Sequence, residues 1–186
     1  MSGRGATRRQ AVLAGGIAMA GIGTPLAALA AVDKALQKKL QRAALGGSIH
    51  IEQAKMVALE AIANGRLLGP RETTTIRVLQ DHANEHAALL AMLSKGDLGV
   101  EPPLAPDRSA IPGLRSLRSA HASIRLGIDL ERRAIGAHLR TLRVLRDAPL
   151  LRAIPQVLAS DGQHLVLLRQ LLGEDAVPSA FERGTV

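Results

Sequence analysis

The chain has no cysteine, no tryptophan and no tyrosine, and Phe181 is its single phenylalanine among 186 residues. Without cysteine, disulfides, thiolate metal sites, c-type haem attachment, thiol nucleophiles and lipid-modified cysteine anchors are all excluded. Without aromatic platforms, the usual way of holding single-stranded nucleic acid by base stacking is missing. Strand-like alternation of useful length is also absent, and beyond residue 30 no run approaches the ~18 consecutive apolar residues of a membrane helix. What is present is aliphatic: 47% of the residues are hydrophobic, enough for one domain with a real core. Any metal must therefore be held by histidine and carboxylate.

The first 30 residues read as an address. Thr7-Arg8-Arg9-Gln10-Ala11-Val12-Leu13 precedes a mildly apolar run broken by Gly15, Gly16, Gly21 and Gly23, and Ala28-Leu29-Ala30 offers small residues for cleavage before Ala31. This resembles a twin-arginine signal peptide, which implies export to the periplasm or cell exterior. An uncleaved anchor is the alternative, but Pro25 and the glycines make a poor spanning helix. Formal charge is +8; removing Arg4, Arg8 and Arg9 leaves 21 basic against 16 acidic residues. Such an excess favours anionic surroundings, an envelope polymer being the nearest after export, and arginines spread along the helices argue against a specific nucleic-acid site.

The rest reads as helices. Residues 31–47 form a basic lead-in, interrupted by Gly46-Gly47. Ser48 is placed to cap a first helix ending near Asn64, and Pro70 to open a second reaching about Lys95. The Pro- and Gly-rich stretch from Gly96 to Gly113 cannot be helical, a third helix runs from about Leu114 to Arg146, and a fourth follows Pro149, with Pro155 disturbing its first turns. The connections are short, long, short. A long link is explained when the second and third helices run parallel, because the chain must travel back along a helix of about 37 Å. The expected domain is an all-α antiparallel four-helix bundle over residues 48–175, with one long crossover between its second and third helices and a tail from 176 to 186.

Steps of three and four residues trace the face each helix turns inward. The rows are Ile49, Glu52, Met56, Leu59, Ala63; then Ile76, Leu79, Ala83, His86, Leu90, Leu93; then Leu117, His121, Ile124, Ile128, Glu131, Ile135, His138, Leu142, Leu145; and Ile154, Val157, Asp161, His164, Leu168, Leu171. Every row carries a potential metal ligand. An isolated buried carboxylate costs several kcal/mol against a total domain stability of only ~5–15 kcal/mol. Glu52, Glu131 and Asp161 must then be paired, protonated, hydrated or bound to a cation, with His86 and His164 sharing it. Oxygen ligands plus imidazole suit iron, manganese or zinc. A metal-free network of acids and histidines is the alternative.

These residues resemble a bacterial ferritin-like domain, a relative of the ferritin and rubrerythrin superfamily, over about Ile49 to Gly184. In that family two helices each offer one Glu and the other two each offer a Glu-x-x-His pair. The resemblance makes Glu52 and Glu131 the single acids, His86 the histidine of the first pair, and Asp161 with His164 the second pair. Ala83 stands where the first pair should have its Glu, and the tyrosines expected seven residues after each single Glu are Leu59 and His138. The resemblance therefore implies a partly degenerate metal site of Glu52, His86, Glu131, Asp161 and His164, taking iron or manganese, or else zinc. It carries at most slow oxidation or peroxide chemistry. His138 is expected to reach Glu131 only through an intermediate. His82-Ala83-Asn84-Glu85-His86 also fits the H-x-x-E-H pattern of inverted zinc peptidases, but the strands of that scaffold have no counterpart, and His82 reads as a flanking surface residue. A homodimer is the default assembly. The non-enzymatic reading is a metal-free bundle that binds an anionic envelope partner.

Overall fold

The computed structural model describes residues 23–96 and 98–178, with side chains from Ala31 onward. The Arg8-Arg9 pair and most of the address segment, like the end of the tail with Phe181, lie outside them. The chain divides into two compact units, Met1–Leu36 and Gln37–Val186; the bundle belongs to the second. It is made of four long helices, α1 (Gly23–Asn64, which enters this unit at Gln37), α2 (Pro70–Ser94), α3 (Ala120–Val144) and α4 (Ala148–Leu171). Among the described residues there is no strand, and no helix is long and apolar enough to cross a membrane.

Two apolar clusters cap a polar middle layer. One holds Leu59, Ile62, Ile76, Leu79, Ile124, Ile128, Leu165 and Leu168; the other holds Leu45, Ile49, Leu90, Leu145, Leu150 and Ile154. The order in which each helix meets them gives its direction. From N- to C-terminus, α1 and α4 run from the second cluster to the first, while α2 and α3 run from the first to the second. Parallel α2 and α3 require the long return link, and its hydrogen bonds trace the journey along α1. Arg42 Nε donates to Leu98 O at 2.6 Å and Gln53 Nε2 to Pro103 O at 2.8 Å, and farther on Arg108 pairs with Glu60. Two short 3-10 turns, Arg108–Ala110 and Leu114–Ser116, lie within the link.

Two boundaries differ from the sequence reading. Gly46-Gly47 does not break the helix: α1 passes straight through. A mid-helix glycine costs about 0.5–1 kcal/mol relative to alanine, and tertiary anchors on both sides outweigh it. Leu45 and Ile49 are fully buried, Gln37 Nε2 donates to Val144 O at 2.8 Å, and Gln41 Oε1 accepts from Arg146 N at 2.8 Å. Ser48 is thus no cap; its hydroxyl pairs with that of Thr141 at 2.8 Å in the core. The third helix starts at Ala120, not Leu114, because the Ser119 hydroxyl accepts from Ala122 N and Gly113 (φ 84°) turns the chain before it. Pro149 opens α4, capped by Asp147, and Pro155 sits inside it without ending it.

Candidate functional site

The polar layer is where the four rows converge. Glu52 on α1, Glu131 and His138 on α3, and Asp161 and His164 on α4 are all buried, and His86 on α2 is 12% exposed. All five residues expected to ligate a metal are brought together here. At their centre is a residue the sequence reading missed, Lys55, also fully buried. Its ammonium Nζ lies 2.7 Å from Glu131 Oε2, 2.7 Å from Asp161 Oδ1 and 3.1 Å from Glu52 Oε2.

Helix geometry explains the position. Lys55 is one turn beyond Glu52 and one turn before Leu59, so it shares their inward face as fully as Met56, which is only half-buried. The inward row of α1 is therefore Ile49, Glu52, Lys55, Leu59. Lysine is almost never fully buried unless paired, and here three carboxylates pair it. Burial alone would lower the Lys55 pKa; Glu131, Glu52 and Asp161 outweigh it and hold the ammonium well above its usual range.

The carboxylates do not behave alike. Burial would raise Glu52, but Lys55, His138 and His86 together hold it well below the ordinary range. For Glu131, burial with the Glu52 charge prevails over Lys55 and raises it. Burial pushes Asp161 up to about 7 against the pull of Lys55. His164 is lowered to about 4 by burial and by the nearby ammonium, so at neutral pH its ring is uncharged.

The histidines form two arms. His138 Nε2 meets Glu52 Oε1 at 2.8 Å and lies 3.5 Å from Asp161 Oδ2. It thus reaches across to α1 rather than toward Glu131 on its own helix, because residues seven apart are two turns distant along the axis. On the other side, His164 Nδ1 meets Glu131 Oε1 at 3.1 Å, and its Nε2 meets His82 Nδ1 at 2.9 Å and Ser160 Oγ at 3.1 Å. A neutral His164 that donates from Nδ1 to Glu131 accepts at Nε2 from His82 and Ser160. His82 is consequently part of the layer, stacked on His164 with ring centroids 5.2 Å apart, not a flanking surface residue. Its partner in the peptidase-like pattern, Glu85, is exposed, as is His121, which the row of the third helix had turned inward.

Three carboxylates face one ammonium, and the surplus is visible in the hydrogen bonding. Asp161 Oδ2 and His86 Nδ1 have no hydrogen-bond partner, and Glu52 Oε2, already 3.1 Å from Lys55 Nζ, is approached by His86 Nδ1 only to 3.4 Å. Two groups, Glu52–His86–Asp161 and Glu131–Asp161–His164, each bring three potential ligand atoms within 4.8 Å of one another. The donor chemistry suits iron, manganese or zinc, but the geometry places the ammonium between the groups. A metal needs carboxylate oxygens at about 2.0–2.2 Å, and an ion taking Glu131 Oε2 and Asp161 Oδ1 would stand against the Nζ that already bonds both. Metal and ammonium exclude one another at that point.

No family model and no curated protein sequence matches the chain. Among solved structures it is similar to a conserved hypothetical protein, rv2844, from Mycobacterium tuberculosis. The likeness has a TM-score of 0.67 at 16% sequence identity and covers 78% of this chain and 99% of that one. At this identity the likeness establishes a shared fold and nothing further.

Proposed function

We propose that this chain is an exported ferritin-like bundle in which the Lys55 ammonium stands where the family's metal would, so that it serves as a metal-free structural or binding module for an anionic cell-envelope partner. The observation that carries the reading is Lys55 Nζ at 2.7 Å from both Glu131 and Asp161. An internal cation of fixed position offsets carboxylate charge without accepting or releasing electrons, which removes the reason for oxygen chemistry. The 21 basic against 16 acidic residues that remain without the address segment support the anionic partner. A homodimer is compatible with it.

A second reading keeps a metal. The unpartnered Oδ2 of Asp161 and the surplus of carboxylates over Lys55 favour one further cation, iron or manganese before zinc, bound when Lys55 swings aside. Elemental analysis of protein purified after native export separates the two. The metal-free reading expects no stoichiometric iron, manganese or zinc. Stoichiometric metal that disappears in Glu131→Ala would overturn it in favour of the second.

A further inference from the structure

Outside the polar layer, α1 and α3 leave a groove of about 590 Å³ between them, within the size range of small-ligand sites. It shares no residue with the layer, and every residue lining it lies in the Gln37–Val186 unit. We propose that this groove binds an anionic lysophospholipid of the cell envelope, with its phosphate between Arg140 and His50 and its acyl chain on the floor toward Arg133. The proposal rests on the reading of the chain as a binding module for an anionic envelope partner, and it names that partner's chemistry.

The two helices build the groove with one spacing. Ala43, Gly47, His50 and Ile51 on α1, and Arg133, Ala137, Arg140 and Thr141 on α3, follow the same steps of four, three and one residues, which keep each set on one face. The floor is apolar, made by Ala43, Ala44, Gly47 and Ala137 with Ile51 as a wall. Thr141 adds no free polar group, because its hydroxyl already bonds Ser48 Oγ at 2.8 Å and the carbonyls of Ala44 and Ala137 at 3.0 Å. A sugar or polyol lying there would give up hydrogen bonds to water and find none in return, whereas an acyl chain gains by leaving water. Gly47 fits the same occupant. A Cβ added there meets nothing within 4 Å, so no neighbour in the chain requires glycine at this point of α1, while close approach of a ligand to the backbone does.

The rim supplies charge of one sign. Arg133, Arg140 and His50 are exposed, no acidic residue lines the groove, and none of the three has a hydrogen bond or ion pair to another described residue. Thr141 meets Ser48 and His138 meets Glu52, so His50 on α1 stands level with Arg140 across the groove. A phosphate between them takes two parallel N–H bonds from the guanidinium and one from the imidazole. Arg133 is two turns along α3, a rise of about 10.5 Å. Its stem can lie along the acyl chain with the guanidinium in water, and its charge draws the anion in. A two-fold pairing of copies through this face would bring the same basic rim of both together, which favours an anion over a second copy.

The test is calorimetric titration of the purified exported protein with lysophosphatidylglycerol below its micelle-forming concentration. The expected result is one site per chain. Arg140→Gln should weaken it by about tenfold or more, the loss of a charge-assisted hydrogen-bond pair. Gly47→Leu, which fills the floor without changing charge, should weaken it as much with helix content unchanged. Arg71→Gln, at an exposed arginine outside the groove, should bind as wild type does. No binding of the probe by wild type overturns the proposal and needs no variant to fold, and so does an equal loss in Arg71→Gln. Lysophosphatidylcholine binding as tightly overturns the role of charge, and glycerol phosphate binding as tightly overturns that of the acyl chain. A dimer that Gly47→Leu splits gives the groove to a second copy and overturns the assignment. Co-sedimentation with isolated anionic envelope polymer keeps the two readings apart. Polymer binding that Arg140→Gln and Gly47→Leu leave intact, in a protein that ignores the lysolipid, sinks the groove alone; binding to neither sinks the anionic-partner reading as well.

Discussion

The two apolar clusters and the layer between them are held by different physics. In the clusters, aliphatic side chains such as Leu79, Ile76, Leu165 and Leu168 are buried with no polar atom to satisfy, and each contributes in proportion to the area it removes from water. Any side chain of similar size would serve nearly as well. In the middle layer, Lys55, Glu52, Glu131 and Asp161 are equally buried, but each is tolerable only while the others are present. The clusters make the bundle; the layer makes it particular, and a single change there should be felt by every neighbour.

The sharpest way to break this contrast is to remove the cation. Lys55→Met leaves three buried carboxylates without their common partner, and breaking a buried charge cluster by removing one member costs about 3–5 kcal/mol. Leu79→Ala in the cluster costs about 2–5 kcal/mol through transfer and cavity terms, so magnitude alone does not separate them. The response to added ions does. Urea unfolding of Lys55→Met with and without manganese or zinc should show a raised midpoint with metal, since vacating Nζ frees the oxygens of Glu131 and Asp161. Leu79→Ala and wild type should not respond. A wild type that gains as much from metal as the variant would mean that Lys55 guards nothing.

The next effect is in pH. Asp161 rises from 3.8 to about 7 on folding. Between those values the folded chain holds a proton the unfolded chain has released, so this group's contribution to stability falls as pH rises through the window. His164 moves from 6.5 to about 4. Its contribution is present above 6.5 and is lost as pH falls toward 4, because the unfolded chain then binds the proton first. The two oppose each other below 6.5, and above it Asp161 acts without His164. Wild-type urea midpoints should therefore decline between pH 6.5 and the neighbourhood of 7, and Asp161→Asn should flatten that decline. An unchanged slope in the variant would assign the titration elsewhere in the layer.

The same contrast sets how much was legible in the sequence. The clusters announce themselves through spacing: apolar residues at three and four steps, bounded by Gly65, Gly96 and Pro149, gave four helices and a parallel α2–α3 pair. Glu52, His86, Glu131, Asp161 and His164 were legible because each interrupts an apolar row. Lys55 was not, since a lysine on a helix is usually solvated and Met56, one residue on, fitted the apolar row better. The signal lay in charge: three inward acids call for an inward base, and Lys55 is the only lysine or arginine of α1 between Glu52 and Asn64. The contacts of His82 and His138 escaped for a related reason. Their partners, His164 and Glu52, are on other helices, and helical periodicity reports which face a residue occupies but not whom it meets there.

His82 marks the edge of the layer, and its loss should be small. It is partly exposed and gives one hydrogen bond to His164, so His82→Ala should cost about 0.5–1.5 kcal/mol, the net value of one such bond. Ser160 remains to satisfy His164 Nε2 at 3.1 Å, which favours the lower end. A double-mutant cycle with Ser160→Ala measures whether the two donors substitute for each other; strict additivity would show that they do not.

The smallest effect has the opposite sign and tests the helix that carries Lys55. α1 runs unbroken through Gly46 and Gly47 because anchors on both sides hold it, and a Cβ added at either position meets nothing within 4 Å. Neither glycine is among the positions with positive φ. Alanine should therefore restrict the unfolded chain without straining the folded one, so Gly47→Ala is expected to stabilise by about 0.4–1 kcal/mol. A stabilised variant, read from the urea midpoint at constant slope, fixes α1 as one continuous rod from Gln37 through Lys55. A destabilised one would mean that the chain bends at Gly47 in solution, and a bend there would change the register in which Glu52 and Lys55 enter the polar layer.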